Sequence, residues 1–136
     1  MNNLYFMIKK VALVFFFMTA AMVGCQEKKV DGIINLSVSQ FEERISNENA
    51  FLLDVRTANE VSGGYIEGAV FMDMMSSEFQ NNYKNIPKNK DIYIYCRSGN
   101  RSRKVLDFLK SEGYQNVYHL AGGISAWGKE NKKIKK

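Results

Sequence analysis

Cysteine and histidine are scarce in this chain of 136 residues, and this shortage limits the chemistry that its side chains can perform. The chain has two cysteines, Cys25 and Cys96. If Cys25 carries a lipid, as argued below, Cys96 has no partner and no disulfide framework is possible. His119 is the only histidine, and it lies in a strand pattern far from Cys96 in sequence. We therefore predict a structural histidine and no catalytic Cys–His pair.

Other patterns are missing as well. The chain has no internal repeat and no low-complexity stretch, and its basic residues form no stripe interleaved with aromatic residues. Nucleic acid is therefore not expected as a partner. Met72, Met74 and Met75 could bind Cu(I) through their thioethers, but we interpret them as residues that fill gaps at the sheet edge. We expect no metal and no cofactor.

The first 24 residues have the pattern of an export signal. Lys9 and Lys10 precede an apolar run over residues 11–23, which is short for a membrane span. The sequence Met-Val-Gly-Cys that ends at Cys25 resembles a bacterial lipobox, in which the cysteine receives the lipid. We expect a lipoprotein signal over residues 1–24 and a lipid on Cys25, anchored to a bacterial membrane and facing the periplasm. An ordinary signal peptide and a buried helix are the alternatives.

Three further segments follow the signal: a tether over residues 25–35, a domain over residues 36–129 and a basic tail over residues 130–136. The formal net charge of the whole chain is +5, a mild excess. The region Lys129–Lys136 holds five lysines and one glutamate. We expect a solvated, frayed terminus there, with adhesion to anionic lipid as the alternative.

Strand and helix patterns alternate through the domain. Strands are predicted over residues 51–55, 70–72, 92–95 and 117–120, and helices over residues 41–46 and 101–112, with a short last helix that contains Trp127. Residues 76–91 are polar and contain the only proline, so a loop with one helical turn is predicted. The alternation favours an α/β fold, an open parallel sheet with helices on both faces.

The most informative segment runs from Tyr95 to Ser102. An apolar strand pattern ends directly in Cys96, and a helical pattern begins a few residues later. A thiol at a strand end, followed by a helix N-terminus, lies among backbone N–H groups that favour negative charge. Its pKa should therefore be low. The pattern predicts a thiolate nucleophile that faces an anionic substrate.

Four segments, in order, resemble the rhodanese (sulfurtransferase) family and cover roughly residues 36–129. They are Leu53-Asp54-Val55-Arg56 with Glu60, Gly64–Ala69, Cys96–Ser102 and Leu120–Trp127. Tyr65 replaces the usual histidine of the second segment, and Val61 stands where an aromatic residue is common. These departures concern local packing rather than chemistry. We interpret Asp54, Arg56 and Glu60 as a structural ion-pair network.

The resemblance implies a rhodanese-like fold and a two-step sulfur transfer. Cys96 would attack a sulfane donor such as thiosulfate, and its persulfide would pass sulfur to a thiol or cyanide. Substrate contacts would come from the rest of the loop, with Arg97 and Arg101 facing a sulfonate; the loop residues are Arg97, Ser98, Gly99, Asn100, Arg101 and Ser102. Small molecules and the membrane are the expected partners, and a monomer is expected.

Two other functions remain open from the sequence. A lipid-anchored persulfide carrier that does not catalyse turnover needs the same thiolate. A phosphatase or an arsenate reductase is less favoured, because phosphatases of the cysteine class hold phosphate in a Cys-x5-Arg loop. Here only four residues separate Cys96 from Arg101, and Ser102 occupies the arginine position. An arsenate reductase would also need a second, resolving cysteine.

Overall fold

Five parallel strands form one sheet in the order β1-β5-β4-β2-β3 in the computed structural model, which describes residues 34–136. The strands are β1 Asn35–Leu36, β2 Ala50–Asp54, β3 Val70–Phe71, β4 Asp91–Tyr95 and β5 Val117–Leu120. The strand that precedes the cysteine loop, β4, is therefore central. The predicted α/β class with a parallel sheet is confirmed.

Helices cover both faces of this sheet. They are α1 Val38–Ile45, α2 Ala58–Ser62, α3 Ser77–Asn82, α4 Asn100–Ser111 and α5 Gly123–Lys129, with a 3-10 turn at Tyr83–Asn85. Successive residues of β4 enter opposite cores, because side chains alternate along a strand. Ile92 and Ile94 belong to the core that includes α4, whereas Tyr93 and Tyr95 belong to the core that includes Phe41 of α1 and Trp127 of α5.

Two short N-terminal motifs explain where helices begin. At α1, the Ser37 side chain accepts from the Gln40 N–H while the Gln40 side chain accepts from the Ser37 N–H. This capping box fixes the N-terminus of α1 at Val38. At α2, Thr57 and Glu60 form the same reciprocal pair.

Several element boundaries differ from the sequence prediction. The polar region 76–91 contains α3 as well as the 3-10 turn, and α2 was not predicted. Asn35, placed at the end of the tether, is the first residue of β1 and pairs with His119 of β5. The signal over residues 1–24 and the tether up to residue 33 lie outside the described residues. Within residues 34–136, the structure contains no helix of the length and apolarity that a membrane span requires.

The basic tail is ordered, contrary to the frayed terminus expected from its composition. Lys135 and Tyr65 exchange two backbone hydrogen bonds of 2.9 Å. The Trp127 indole Nε1–H donates to the Lys133 carbonyl over 3.0 Å. Lys132 also forms an ion pair with Glu42 of α1. Backbone pairing, the Trp127 hydrogen bond and an ion pair therefore all hold the tail against the domain.

Candidate active site

Cys96 lies at the carboxyl end of the central strand, where open α/β sheets bind their ligands. Its side chain is 1% exposed and forms no disulfide. The chain turns at Gly99, whose φ of 99° suits glycine, and α4 begins at the next residue. The predicted strand–thiol–helix order is therefore present.

Helix α5 holds the cysteine loop from the other side. The Ile124 N–H donates to the Cys96 carbonyl over 2.9 Å, and the Ser125 N–H donates to the Arg97 carbonyl over 3.1 Å. Gly123 allows this approach, because a Cβ there would lie 2.4 Å from the Cys96 carbonyl oxygen. The turn at Gly122 and Gly123 thus helps to position the backbone of Cys96.

Hydrogen-bond donors converge on the Cys96 sulfur. The Gly99 N–H donates to Sγ over 3.1 Å, and Ser102 Oγ lies 3.6 Å from the same atom. Burial opposes ionisation of Cys96, but the Ser102 N–H and hydroxyl and the N–H groups of Gly99 and Ser98 outweigh it. Together they place the pKa of the Cys96 thiol below its ordinary value, as a nucleophilic cysteine requires.

The two loop arginines differ in what they contact. Arg101 forms two hydrogen bonds to the carboxylate of Glu60, at 2.7 and 2.6 Å. This pairing, assisted by Thr57, lowers the pKa of Glu60 to about 2. Arg97 is exposed, forms no ion pair within residues 34–136, and lines a recess of about 290 Å³ beside the loop, together with Ser125. Arg97 is therefore the more available cation for an anionic substrate.

The remaining predicted site residues occupy different environments. Ser98 and Asn100 are exposed at the loop surface, whereas Gly99 and Ser102 are buried. Serine hydroxyls can donate to sulfur, but only the Ser102 hydroxyl lies in contact with Cys96. Among these side chains, only that of Ser102 is buried against the sulfur, whereas Ser98 and Asn100 are exposed.

The expected ion-pair network is present in part. Arg56 and Asp54 form a buried pair with a shortest distance of 2.6 Å, and Arg56 also donates to the carbonyl of Gly64 over 2.9 Å. The side chain of Glu60 instead pairs with Arg101, and only its backbone carbonyl contacts Arg56. Arg56 thus connects the end of β2 to the next segment, and Glu60 connects α2 to the cysteine loop.

The methionine residues do not share one environment. Met72 is buried in the core, Met74 packs against the same core, and Met75 is 69% exposed. Two of the three therefore fill space at the edge of the sheet, as the sequence predicted.

One neighbour of the cysteine loop was not predicted. His119 Nδ1 lies 3.2 Å from Ser102 Oγ, and His119 Nε2 lies 2.6 Å from Asn35 Oδ1. The chain separates His119 from Ser102 by 17 positions. Only the strand order, which pairs β5 with β4, brings His119 to the same sheet edge. The strand pattern of β5 was the signal in the sequence that placed His119 in the sheet, and it did not indicate which strand lies beside it.

Comparison with known proteins identifies a family and several sequence relatives of this chain. Residues 37–130 match the family described as the Rhodanese-like domain. A sulfurtransferase from Allochromatium vinosum is 37% identical over 93 residues, which are 68% of this chain and 85% of that protein. A tRNA uridine(34) hydroxylase from Aster yellows witches'-broom phytoplasma is 35% identical over 100 residues. That match covers 69% of this chain but only 32% of the hydroxylase.

Solved structures agree with the sequence comparison. A rhodanese-related protein from Thermoplasma volcanium superposes with a TM-score of 0.66 at 27% sequence identity. The match covers 74% of this chain and 95% of that protein. The parallel sheet and its helices therefore have a close counterpart among experimentally determined structures.

Proposed function

Because this chain belongs to the rhodanese-like domain family and is homologous to a sulfurtransferase, we propose that it transfers sulfane sulfur through a persulfide on Cys96. Thiosulfate is the proposed donor, and a thiol or cyanide is the proposed acceptor. The observation that supports this most strongly is the buried thiol with the Gly99 N–H only 3.1 Å from its sulfur. A thiolate in such a ring of donors is an activated nucleophile.

In the first proposed step, the Cys96 thiolate attacks the outer sulfur of thiosulfate. A new S–S bond forms, the bond between the two thiosulfate sulfurs breaks, and sulfite leaves with that electron pair. In the second step, the acceptor takes the outer sulfur of the persulfide, and the thiolate is restored. Both steps keep negative charge at the loop, where fixed N–H groups stabilise it without reorganisation.

Arg97 is the residue that we assign to the sulfonate of the donor. Its guanidinium is exposed and borders the recess beside the cysteine loop. Arg101, although it belongs to the same loop, already forms a bidentate ion pair with Glu60. We propose that Arg101 acts mainly through long-range attraction and through the position of α4, while Arg97 contacts the substrate.

Steady-state turnover tests the proposed activity. The purified protein should convert thiosulfate and cyanide to sulfite and thiocyanate, and Cys96→Ser should abolish the reaction while the circular dichroism spectrum stays unchanged. A serine hydroxyl is a poor sulfur nucleophile at neutral pH because it stays protonated. Activity that survives in Cys96→Ser would exclude this mechanism. An aryl phosphate turned over faster than thiosulfate would favour a phosphatase instead.

The same assay distinguishes an enzyme from a persulfide carrier. A carrier would take up one sulfur atom per chain and hold it until a specific partner protein removed it. An enzyme returns to the thiolate with small-molecule acceptors and continues. We favour the enzyme because the chain is homologous to a sulfurtransferase over 85% of that protein's length.

We also propose that the protein is exported and held at a bacterial membrane by a lipid on Cys25. The support is in the sequence: a lysine pair, an apolar run of 13 residues from Val11 to Val23, and a small residue before the cysteine. One lipid modification on Cys25 would leave Cys96 as the only thiol available for sulfur chemistry.

A further inference from the structure

A buried line of hydrogen-bonding groups runs from Cys96 to the edge of the sheet. Ser102 Oγ contacts both Cys96 Sγ at 3.6 Å and His119 Nδ1 at 3.2 Å, and His119 Nε2 contacts Asn35 Oδ1 at 2.6 Å. Ser102 is fully buried and His119 is 5% exposed. The sulfur-transfer steps above give His119 no role, although a polar ring is costly to bury without one or more good partners.

The contacts of Asn35 decide where the imidazole holds its hydrogen. Arg103 Nη1 lies 3.2 Å from Asn35 Oδ1, and a guanidinium can only donate. The atom it contacts is therefore the amide oxygen, which can only accept. His119 Nε2 must then donate to that oxygen, so Nδ1 of the neutral ring is a bare acceptor that faces Ser102.

The Ser102 hydroxyl has one hydrogen and three acceptors within reach. The Gly99 carbonyl oxygen lies 3.0 Å away, and the Cys96 sulfur and His119 Nδ1 are the other two. A neutral imidazole competes with the Cys96 thiolate for that hydrogen. A protonated imidazole instead donates its Nδ1–H to Ser102 Oγ, which leaves the hydroxyl hydrogen free to turn toward sulfur. Its positive charge also favours a nearby thiolate.

We propose that His119 is a positioning residue whose protonation turns the Ser102 hydroxyl toward Cys96 and so favours the thiolate. The proposal rests on the proposed function only in assigning that thiolate to sulfur transfer. Coupling of this kind is reciprocal: ionisation of Cys96 must favour protonation of His119 by the same free energy. The two groups then titrate as a pair rather than separately.

The charged groups around His119 set the pH range in which this coupling operates. Burial and the Arg103 charge lower the pKa of His119, and Asp107, also on α4, partly opposes them. The central strand contributes Cys96 beyond its end, and β1 contributes Asn35 but no ionisable side chain. The imidazolium therefore forms at a pH below the ordinary histidine pKa. Its effect on Cys96 should be seen in mildly acidic solution.

Alkylation of Cys96 by iodoacetamide tests the coupling without any sulfur donor. The rate is followed on the Cys96 peptide of the full chain by mass spectrometry, which keeps Cys25 separate. Only the thiolate reacts, so the rate reports its population whether or not the protein transfers sulfur. In the unaltered protein, the logarithm of the rate should rise with pH in two steps separated by a shallower region.

His119→Gln should remove this shallow region, because glutamine can hydrogen-bond to Asn35 but cannot take up a proton. Alkylation at about pH 5.5 should fall by about tenfold, the effect of one pKa unit. Asn35→Asp should act in the opposite direction, because a carboxylate beside Nε2 stabilises the imidazolium and extends the shallow region to higher pH. At about pH 9.5 the thiol is ionised in every variant, so rates within about twofold of each other show that the loop is intact.

Ser102→Ala and Lys104→Gln complete the test. Ser102→Ala should narrow the shallow region, and adding His119→Gln to it should lower the rate by much less than in the unaltered protein, since only the charge of the imidazolium then connects the two groups. Lys104→Gln removes an exposed charge on the same helix and should keep the two-step profile. A single rise in the unaltered protein would overturn the proposal. So would an effect of His119→Gln that is as large in the Ser102→Ala background as in the unaltered protein.

Discussion

Gly123 is the residue on which the geometry of the cysteine loop depends most directly. Its φ is 59°, and an added Cβ would lie 2.4 Å from the Cys96 carbonyl oxygen and 2.6 Å from the Arg97 carbonyl carbon. Those contacts involve backbone atoms, which cannot rotate away as a side chain can. A methyl group at this position must therefore push α5 and the loop apart.

We predict that Gly123→Ala lowers sulfur transfer on the order of a hundredfold, the loss associated with a displacement of about 1 Å. Gly68 provides the matched control, since its φ is 85° but a Cβ added there would meet no atom within 4 Å beyond its chain neighbours. Gly68→Ala should cost only the left-handed backbone penalty, about 1 to 2 kcal/mol, with activity retained. Denaturant unfolding and thiosulfate turnover measure both effects. Equal losses of activity in the two variants would show that clash with the loop is not the cause.

Sequence reasoning was most accurate where a residue's role depends on its immediate neighbours. Cys96, Gly99 and Ser102 were predicted from one short segment, and the structure places the buried donors around the sulfur. His119 was not predicted as a neighbour of that site, because its position depends on the pairing of β4 with β5. Arg101 shows the same limit: its partner Glu60 lies 41 residues away in sequence.

At the scale of elements, the ion pair between Glu60 and Arg101 joins α2 to the start of α4. Glu60 also caps its own helix through Thr57, so one carboxylate stabilises two elements. Arg101, and to a lesser extent Thr57, lowers the pKa of Glu60 to about 2, from an ordinary value of 4.5. A carboxyl group with a lowered pKa stabilises the folded state when it is ionised.

Glu60→Gln should reduce the free energy of unfolding by about 1 kcal/mol at neutral pH, since glutamine keeps the capping geometry but loses the charge. The difference between the two proteins should be full above about pH 4.5 and should vanish as the pH falls toward 2. Chemical denaturation across that pH range measures it. A difference that stays constant with pH, or grows in acid, would mean that the ion pair is not its source.

The C-terminal tail acts as an additional element of the domain. Its Lys135 backbone pairs with Tyr65, and Ile134 lies against Gly64, where a Cβ would come within 2.5 Å of the isoleucine side chain. Ile134 also lines the recess beside Arg97. The tail thus forms one wall of the space that we assign to substrates.

Removal of residues 132–136 should expose Trp127, the only tryptophan, whose indole donates to Lys133 and whose side chain is 4% exposed. We expect a red shift of the tryptophan emission and a lower Tm, because the ring becomes solvated and loses its acceptor. Lys136→Ala, which removes only the last side chain, should leave both unchanged. An unshifted emission after truncation would contradict the packing described here.

The elements that the sequence did not predict are short and are stabilised by distant partners. Helix α2 has five residues, and β1 has two, too few for a periodic pattern to appear. In contrast, β5 was predicted at its observed bounds, and α4 within one residue at each end, because apolar patterns and a following glycine mark them. The polar tail was expected to fray because composition does not reveal backbone pairing with Tyr65.

At the scale of the whole molecule, the chain combines a rhodanese-like domain with a proposed membrane anchor. Lipid modification at Cys25 should place the protein in the detergent phase of a phase-separation extraction. Cys25→Ala should move the protein to the aqueous phase. Its thiosulfate turnover should stay within about twofold of the unaltered protein, because Cys96 lies in the rhodanese-like domain and Cys25 precedes that domain in the sequence. A native protein that is already aqueous, with its mature N-terminus elsewhere, would contradict the anchor but not the sulfur chemistry.

The persulfide is the species that connects the fold, the loop and the proposed reaction. The most direct test is mass spectrometry of the Cys96 peptide after the purified protein has been exposed to thiosulfate and then freed of it. We predict a mass gain of one sulfur atom on this peptide, its loss on addition of cyanide, and no gain in Cys96→Ser. An unmodified Cys96, in protein whose thiol is still alkylated readily, would contradict the central claim.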